Sequence, residues 1–145
     1  MARYMGLDVG TKTIGVALSD GLEMLAHPVC TLTRRGVRKD IEMLSPLLAE
    51  HDVHSLIVGL PLELDGTEER SARLARQIGA EARAKTGLPV LYVDERFTSV
   101  DAERQLIEVN MRREKRKAVI DQQAAVLILQ SFLDGREAAV HDREA

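Results

Sequence analysis

Asp8 stands inside an apolar strand pattern and is followed by a glycine-rich turn, in the run GLDVGTKTIGVA from Gly6 to Ala17. Leaving an ionised carboxylate in low-dielectric protein costs several kcal/mol, so such a residue is paired, hydrogen-bonded or holding a cation. No basic residue lies within two positions of it along the chain. Two further acids stand where a polar group is least expected. Glu95 comes just after an apolar strand that ends at Asp94, and Asp121 lies on a helix whose neighbours three, four and seven residues on are Ala124, Ala125 and Ile128. If the strands of Asp8 and Asp94 run parallel, both carboxylates leave the sheet at one edge, where open α/β sheets bind ligands. Three acids converging there repel one another, and a hard divalent cation with oxygen ligands, Mg²⁺ or Mn²⁺, relieves the repulsion. Singly, each acid has a plainer reading. Asp8 could be a hydrogen-bonded turn residue, Glu95 an ion-pair partner of Arg96, and Asp121 a helix charge favoured by the macrodipole. The combination favours a site.

The elements that must position these acids follow from periodicity. Tyr4, Gly6 and Asp8 alternate with Met5, Leu7 and Val9, so Asp8 shares one face of a strand over residues 3–9. Gly10 to Lys12 form a tight turn into an antiparallel strand over Thr13 to Ser19. A third strand follows over His27 to Leu32, which Pro28 limits to an edge or a strand start. Ile41, Leu44 and Leu48 recur at helical spacing within Val37 to His51, where Pro46 could kink the helix or shift its start. Ser55 to Leu60 is a short buried strand, and the loop LPLELDGT leads to a helix over Thr67 to Thr86 that Gly87 stops. Pro89 opens the strand Val90 to Asp94. Thr98 caps the next helix, with Asp101 in capping-box spacing, and a last helix runs from about Ala118 to Leu133. This order describes one α/β domain over residues 1–134, a central five-stranded mixed sheet with helices on both faces, and a polar tail over 135–145.

The chain has 145 residues, enough for one domain with its own core. Hydrophobic residues make up 45% and charged residues 30%, which excludes compositional disorder. No apolar stretch approaches the ~20 residues of a membrane span. With one cysteine, Cys30, no internal disulfide can form, in keeping with a reducing compartment. The expectation is a cytoplasmic protein without a membrane partner. A net charge of only -3 does not announce a nucleic-acid partner, so that inference rests on local clustering. Arg112, Arg113, Lys115, Arg116 and Lys117 interrupt the helical pattern just before Asp121. Alone they read as a solvated loop; beside a metal site they read as a phosphate clamp, with affinity that falls as salt rises. Arg96 and the pair Arg34, Arg35 are weaker candidates for phosphate contact, and Lys12, in the turn after Asp8, could meet a phosphate or be simply solvated. With aromatic residues at 3% and no tryptophan, recognition should act through backbone and shape rather than base stacking.

The segments LDVGTKTIGVALSD, VGLPLELDGT, VDERFTSVDAE and RREKRKAVIDQQAAVLILQSFLD resemble, in order and spacing, the signature blocks of the YqgF (RuvX) family. The resemblance covers nearly the whole chain. It implies an RNase H-like fold and a metal-dependent nuclease that leaves a 5′-phosphate and a 3′-hydroxyl. Position by position, the first-strand aspartate is Asp8, the glutamate of the DER block is Glu95, and the aspartate before the paired alanines is Asp121. In a two-ion scheme Asp8 bridges, and Glu95 and Asp121 each complete one ion. The family is implicated in maturing the 5′ end of pre-16S ribosomal RNA and in resolving DNA junctions. Resolvases of the related RuvC type carry another aspartate three residues after the one on the final helix, and Ala124 stands there. That departure favours RNA processing, with a ribosomal particle as a possible partner, over junction cleavage, which needs two sites in a symmetric assembly. Both a monomer and a homodimer fit this chain.

Two other classes share some of these features. The DVGT turn also opens the nucleotide site of actin-like ATPases and sugar kinases, but those close two such domains around the nucleotide. A non-catalytic RNA-binding assembly factor would need the basic run alone, without the three acids.

Overall fold

The structure, a computed structural model, describes residues 3–98, Val100 and 113–139. Five strands, β1 (Arg3–Val9), β2 (Thr13–Ser19), β3 (Ala26–Thr33), β4 (Val53–Leu60) and β5 (Val90–Asp94), form one sheet in the order β3-β2-β1-β4-β5. The three-residue connection Gly10–Lys12 leaves β2 no choice but to pair antiparallel with β1, and its Gly10 N–H donates to the Thr13 carbonyl at 2.8 Å. Parallel pairing of β1 with β4 and of β4 with β5 requires crossovers, which α1 (Val37–Glu50) and α2 (Arg70–Thr86) supply. The strands of Asp8 and Asp94 are therefore parallel, as the sequence leads one to expect. Pro28 sits on β3, an edge strand, opposite Ala17 and beside a register shift between Val16 and Ala17, where a missing N–H costs the ladder least.

Helices cover both faces. Met5, Leu7, Val9, Ile14 and Val16 pack with Ile41, Leu44 and Leu48 of α1 and with Ala72, Ala75 and Ile78 of α2. On the other face, Ala17, Ile57, Leu91 and Val93 pack with Ala125, Ile128, Leu129 and Phe132 of α3 (Arg113–Ala139). Each fully buried aliphatic side chain of this kind contributes roughly 1.5–3 kcal/mol relative to exposure. α3 lies so close to β1 that a Cβ at Gly6 would stand 2.7 Å from Leu129 Cβ.

Some boundaries differ from expectation. α2 begins at Arg70 rather than Thr67, because Thr67 is spent on the preceding loop: its N–H and hydroxyl donate to the Asp65 carboxylate at 3.0 and 2.8 Å, and its carbonyl accepts from Glu63 N–H at 3.0 Å. Gly66 makes this loop possible with φ +90°. α1 continues through Pro46. The basic run is not an interruption before a helix at Ala118; the helix already includes Arg113, consistent with the high helix propensity of Arg, Lys and Glu. α3 has non-helical dihedrals at Gly135 (φ -123°, ψ 26°) and runs on to Ala139, beyond the expected end at Leu133. Thr98 behaves as the expected cap, its hydroxyl accepting from Val100 N–H at 3.3 Å and donating to the Glu95 carbonyl at 2.8 Å. The rest of that expected helix, Ser99 and residues 101–112 with Asp101, lies outside the described residues, as do residues 140–145. Among the described residues no helix is long and apolar enough to cross a membrane.

Candidate active site

Asp8 occupies the penultimate position of β1, is 7% exposed, and pairs across the hairpin with Gly15 of β2. On its other side lies β4. Leu7 pairs with Val58, so the next step along the parallel ladder sets Asp8 beside Gly59. Asp8 thus stands between two glycines of the neighbouring strands, and each glycine supports one of the other acids. A Cβ at Gly15 would collide with the backbone carbonyl of Asp121, so α3 can approach β2 at this level only over a bare backbone. A Cβ at Gly59 would lie 2.7 Å from Glu95 Oε2 and collide with Ile128 Cδ1. Asp121, Asp8 and Glu95 are gathered in that order across β2, β1 and β4, on the face that α3 covers and towards the carboxyl ends of β1 and β4.

Each acid is aimed by local geometry. Strand alternation turns Tyr4, Gly6 and Asp8 towards α3, and Met5, Leu7 and Val9 towards α1 and α2. Asp121 is half-buried, and its Oδ2 accepts a hydrogen bond from Thr13 Oγ1 at 2.5 Å. Glu95 begins a single 3₁₀ turn, Glu95–Phe97, directly after β5. Alternation along β5 also decides the role of Asp94. Val90 and Tyr92 belong to the α1/α2 core and Leu91 and Val93 to the α3 core, so Asp94 falls on the face away from Asp8. Its carboxylate accepts from Arg96 Nε at 3.1 Å and Nη2 at 2.7 Å and from the Arg96 backbone N–H at 3.0 Å. Burial pushes the Asp94 carboxyl up, but the Arg96 hydrogen bonds and charge outweigh it and hold it below the usual carboxylate range. Asp94 thereby anchors Arg96.

Of the basic residues singled out from sequence, Lys12 is exposed on the turn after Asp8. Arg96 is exposed but engaged, clasping Asp94 and donating Nη1 to the Leu64 carbonyl at 3.2 Å, which ties the loop after β4 to the end of β5. Arg113, Lys115, Arg116 and Lys117 lie on α3 upstream of Asp121, with Lys117 one turn before it, roughly 6 Å along the axis. Arg112 lies outside the described residues. Ala124 is 2% exposed and packed against the sheet.

The donor set is chemically suited to a hard divalent ion, being carboxylates. Among the described residues no three His, Cys, Asp or Glu side chains close around a single point as a cage would require. The three acids border a shared floor instead. Thr13, Gly15 and Gly59 are contributors that sequence reasoning misses, since their roles exist only across strands. The one local signal is the spacing of Gly15 and Gly59 within otherwise apolar strands, a pattern that marks a close approach.

Residues 2–135 match the family described as "RuvX: Holliday junction resolvase". The chain is 44% identical over 138 residues to a Lachnospira eligens protein named "Putative pre-16S rRNA nuclease", covering 93% of this chain and 99% of that one. It is 46% identical over 132 residues to a Moorella thermoacetica protein of the same name, covering 91% and 94%. Among solved structures, T. thermophilus RuvC in complex with a Holliday junction substrate superposes with a TM-score of 0.59 at 13% identity, covering 99% of this chain and 100% of that one. Fowlpox virus resolvase with its junction DNA gives 0.50 at 12% identity, covering 91% and 97%. At such identities the likeness speaks to the fold, which is RNase H-like.

Proposed function

Because the chain belongs to the RuvX family, we propose that it is a nuclease that hydrolyses phosphodiester bonds in 5′-end processing of pre-16S rRNA, with Asp8, Glu95 and Asp121 as its acidic centre. The observation that carries this reading is the gathering of the three acids across adjacent strands, with Gly15 admitting the backbone of Asp121 and Gly59 admitting Glu95 on either side of Asp8. Relatives named for pre-16S rRNA over nine-tenths of the chain favour the RNA substrate.

In this reading the three carboxylates would hold Mg²⁺ or Mn²⁺, which supplies activation of the attacking water and stabilisation of the leaving oxygen's charge. The chain's own residues do the rest. Thr13 donates to Asp121 and so fixes which of its oxygens remains for other work. The Gly59 backbone admits Glu95 Oε2 where any side chain would displace it. Lys12, Arg113, Lys115, Arg116 and Lys117, with Arg112 before them, hold the phosphate backbone near the acids. Arg96 acts through the loop it ties down more than through a phosphate. The family description favours a second reading, cleavage of four-way DNA junctions.

The test is cleavage of a pre-16S leader RNA and of a four-way DNA junction, each with Mg²⁺ and with Mn²⁺, by the wild type and Asp8→Asn. Expected is metal-dependent cutting of the RNA that the folded variant lacks. Cutting of the junction alone selects the second reading, and undiminished cutting by Asp8→Asn removes the acidic centre.

A further inference from the structure

A buried ion pair braces the turn that follows Asp8. Asp40, in the first turn of α1, has no exposed surface and accepts from Arg34 Nε at 2.8 Å and from the Arg35 backbone N–H at 2.7 Å. Arg34, whose side chain is 9% exposed, also donates Nη1 to the Gly10 carbonyl at 3.0 Å, and its backbone N–H to the Lys12 carbonyl at 2.8 Å. One residue thus satisfies two of the three carbonyls of the Gly10–Lys12 turn. Burying two charges where apolar side chains could pack is weak support for stability, so the pair calls for another explanation. The turn supplies one. It joins the strand that ends just after Asp8 to Thr13, the residue that holds Asp121, so its conformation sets the relation between two of the three acids.

We propose that Arg34, oriented by Asp40, is a positioning residue for the active centre, holding the Gly10–Lys12 turn so that Asp8 and Thr13-bound Asp121 keep their mutual placement. The proposal rests on the nuclease reading above. Arg34 acts through the turn and not on substrate, since Asp40 and α1 belong to the face of the sheet opposite α3. The work requires a planar fork that reaches a carboxylate and a carbonyl at once, which a lysine ammonium cannot reproduce in the same geometry.

Two variants test this. Arg34→Met with Asp40→Leu replaces the pair by apolar side chains of similar length, and Arg34→Lys keeps the charge but not the fork. Both are followed by thermal melting, by steady-state cleavage kinetics, and by amide hydrogen exchange at Gly10, whose N–H donates to Thr13. Expected in the folded variants are a kcat lower by about tenfold or more, a KM within about threefold of wild type, and faster exchange at Gly10. A kcat equal to wild type overturns the proposal, whether or not exchange at Gly10 has quickened. Should the doubly substituted chain fail to fold, Arg34→Lys decides on the same readings. Should the wild type cut neither substrate, the nuclease reading fails, and exchange at Gly10 alone decides whether Arg34 holds the turn.

Discussion

Gly59→Ala separates the integrity of the fold from the placement of Glu95. The added Cβ would lie 2.7 Å from Glu95 Oε2, whereas ordinary contact begins at 3.4 Å, so the carboxylate must retreat by about 0.7 Å. It also collides with Ile128 Cδ1, the far end of a side chain that can change rotamer. Overpacking of this kind costs about 1–3 kcal/mol, which for a chain of this size lowers Tm by about 3–10 °C. Misplacing a catalytic group by ~1 Å costs on the order of 10²-fold in rate, so cleavage should fall about 10- to 100-fold while the protein stays folded at 25 °C. Ile128→Val is the control. It trims the fully buried Ile128 at a cost of about 0.5–1.5 kcal/mol without adding an atom beside Glu95. The assay is cleavage of the pre-16S leader RNA with Mn²⁺ well below both melting temperatures, with the melts recorded in the same buffer. If Gly59→Ala cuts as fast as Ile128→Val, Glu95 has no role that depends on its position over Gly59.

Thr13→Val removes the donor to Asp121 Oδ2; a charge-assisted hydrogen bond is worth about 1.5–3 kcal/mol, and since Asp121 is half-buried the loss in a denaturant melt should fall at or below the lower end, with cleavage reduced more than stability. Replacing Lys115, Arg116 and Lys117 by Gln should weaken RNA binding and flatten its salt dependence by about 0.7 in log–log slope for each phosphate no longer neutralised; an unchanged slope would remove these residues from the interface. Acid should loosen the loops before the core. The Asp20 carboxyl is held low by the Met24 backbone hydrogen bond and that of Asp65 by the Thr67 backbone and hydroxyl, while for Asp94 the Arg96 interactions outweigh burial. A carboxyl lowered on folding contributes stability above its unfolded value, about 3.9, and loses that contribution as pH falls through its folded value. NMR titration of the carboxyl carbons should therefore place all three midpoints below about 3.9, and midpoints at or above it would refute the hydrogen-bond assignments.

Sequence periodicity was sufficient wherever the determining contact is local. The alternation in β1, the tight turn at Gly10, the edge position enforced by Pro28 and the stop at Gly87 with φ +73° all depend on a few neighbouring residues, and the structure bears them out. The parallel relation of β1 and β5 was legible for the same reason, since helices of sufficient length separate the strands. Local signals misled where two of them competed for one residue. Thr67 has a helix-compatible pattern around it, yet Glu63 and Asp65 capture it into the loop.

What the chain determined by itself was the inventory: three acids at strand and helix positions, one domain, a mixed sheet and a basic run near Asp121. Tertiary structure decided which acids share a face. Asp94 and Glu95 are adjacent in sequence, but the two-residue period of β5 turns Asp94 to the α1/α2 side, where Arg96 takes it, while Glu95 reaches over Gly59. Only the register of three strands could set Gly15 and Gly59 on either side of Asp8. Only the packing of α3 against the sheet could bring Asp121 to Thr13, because a hydrogen bond between residues far apart in sequence leaves no periodic trace in it.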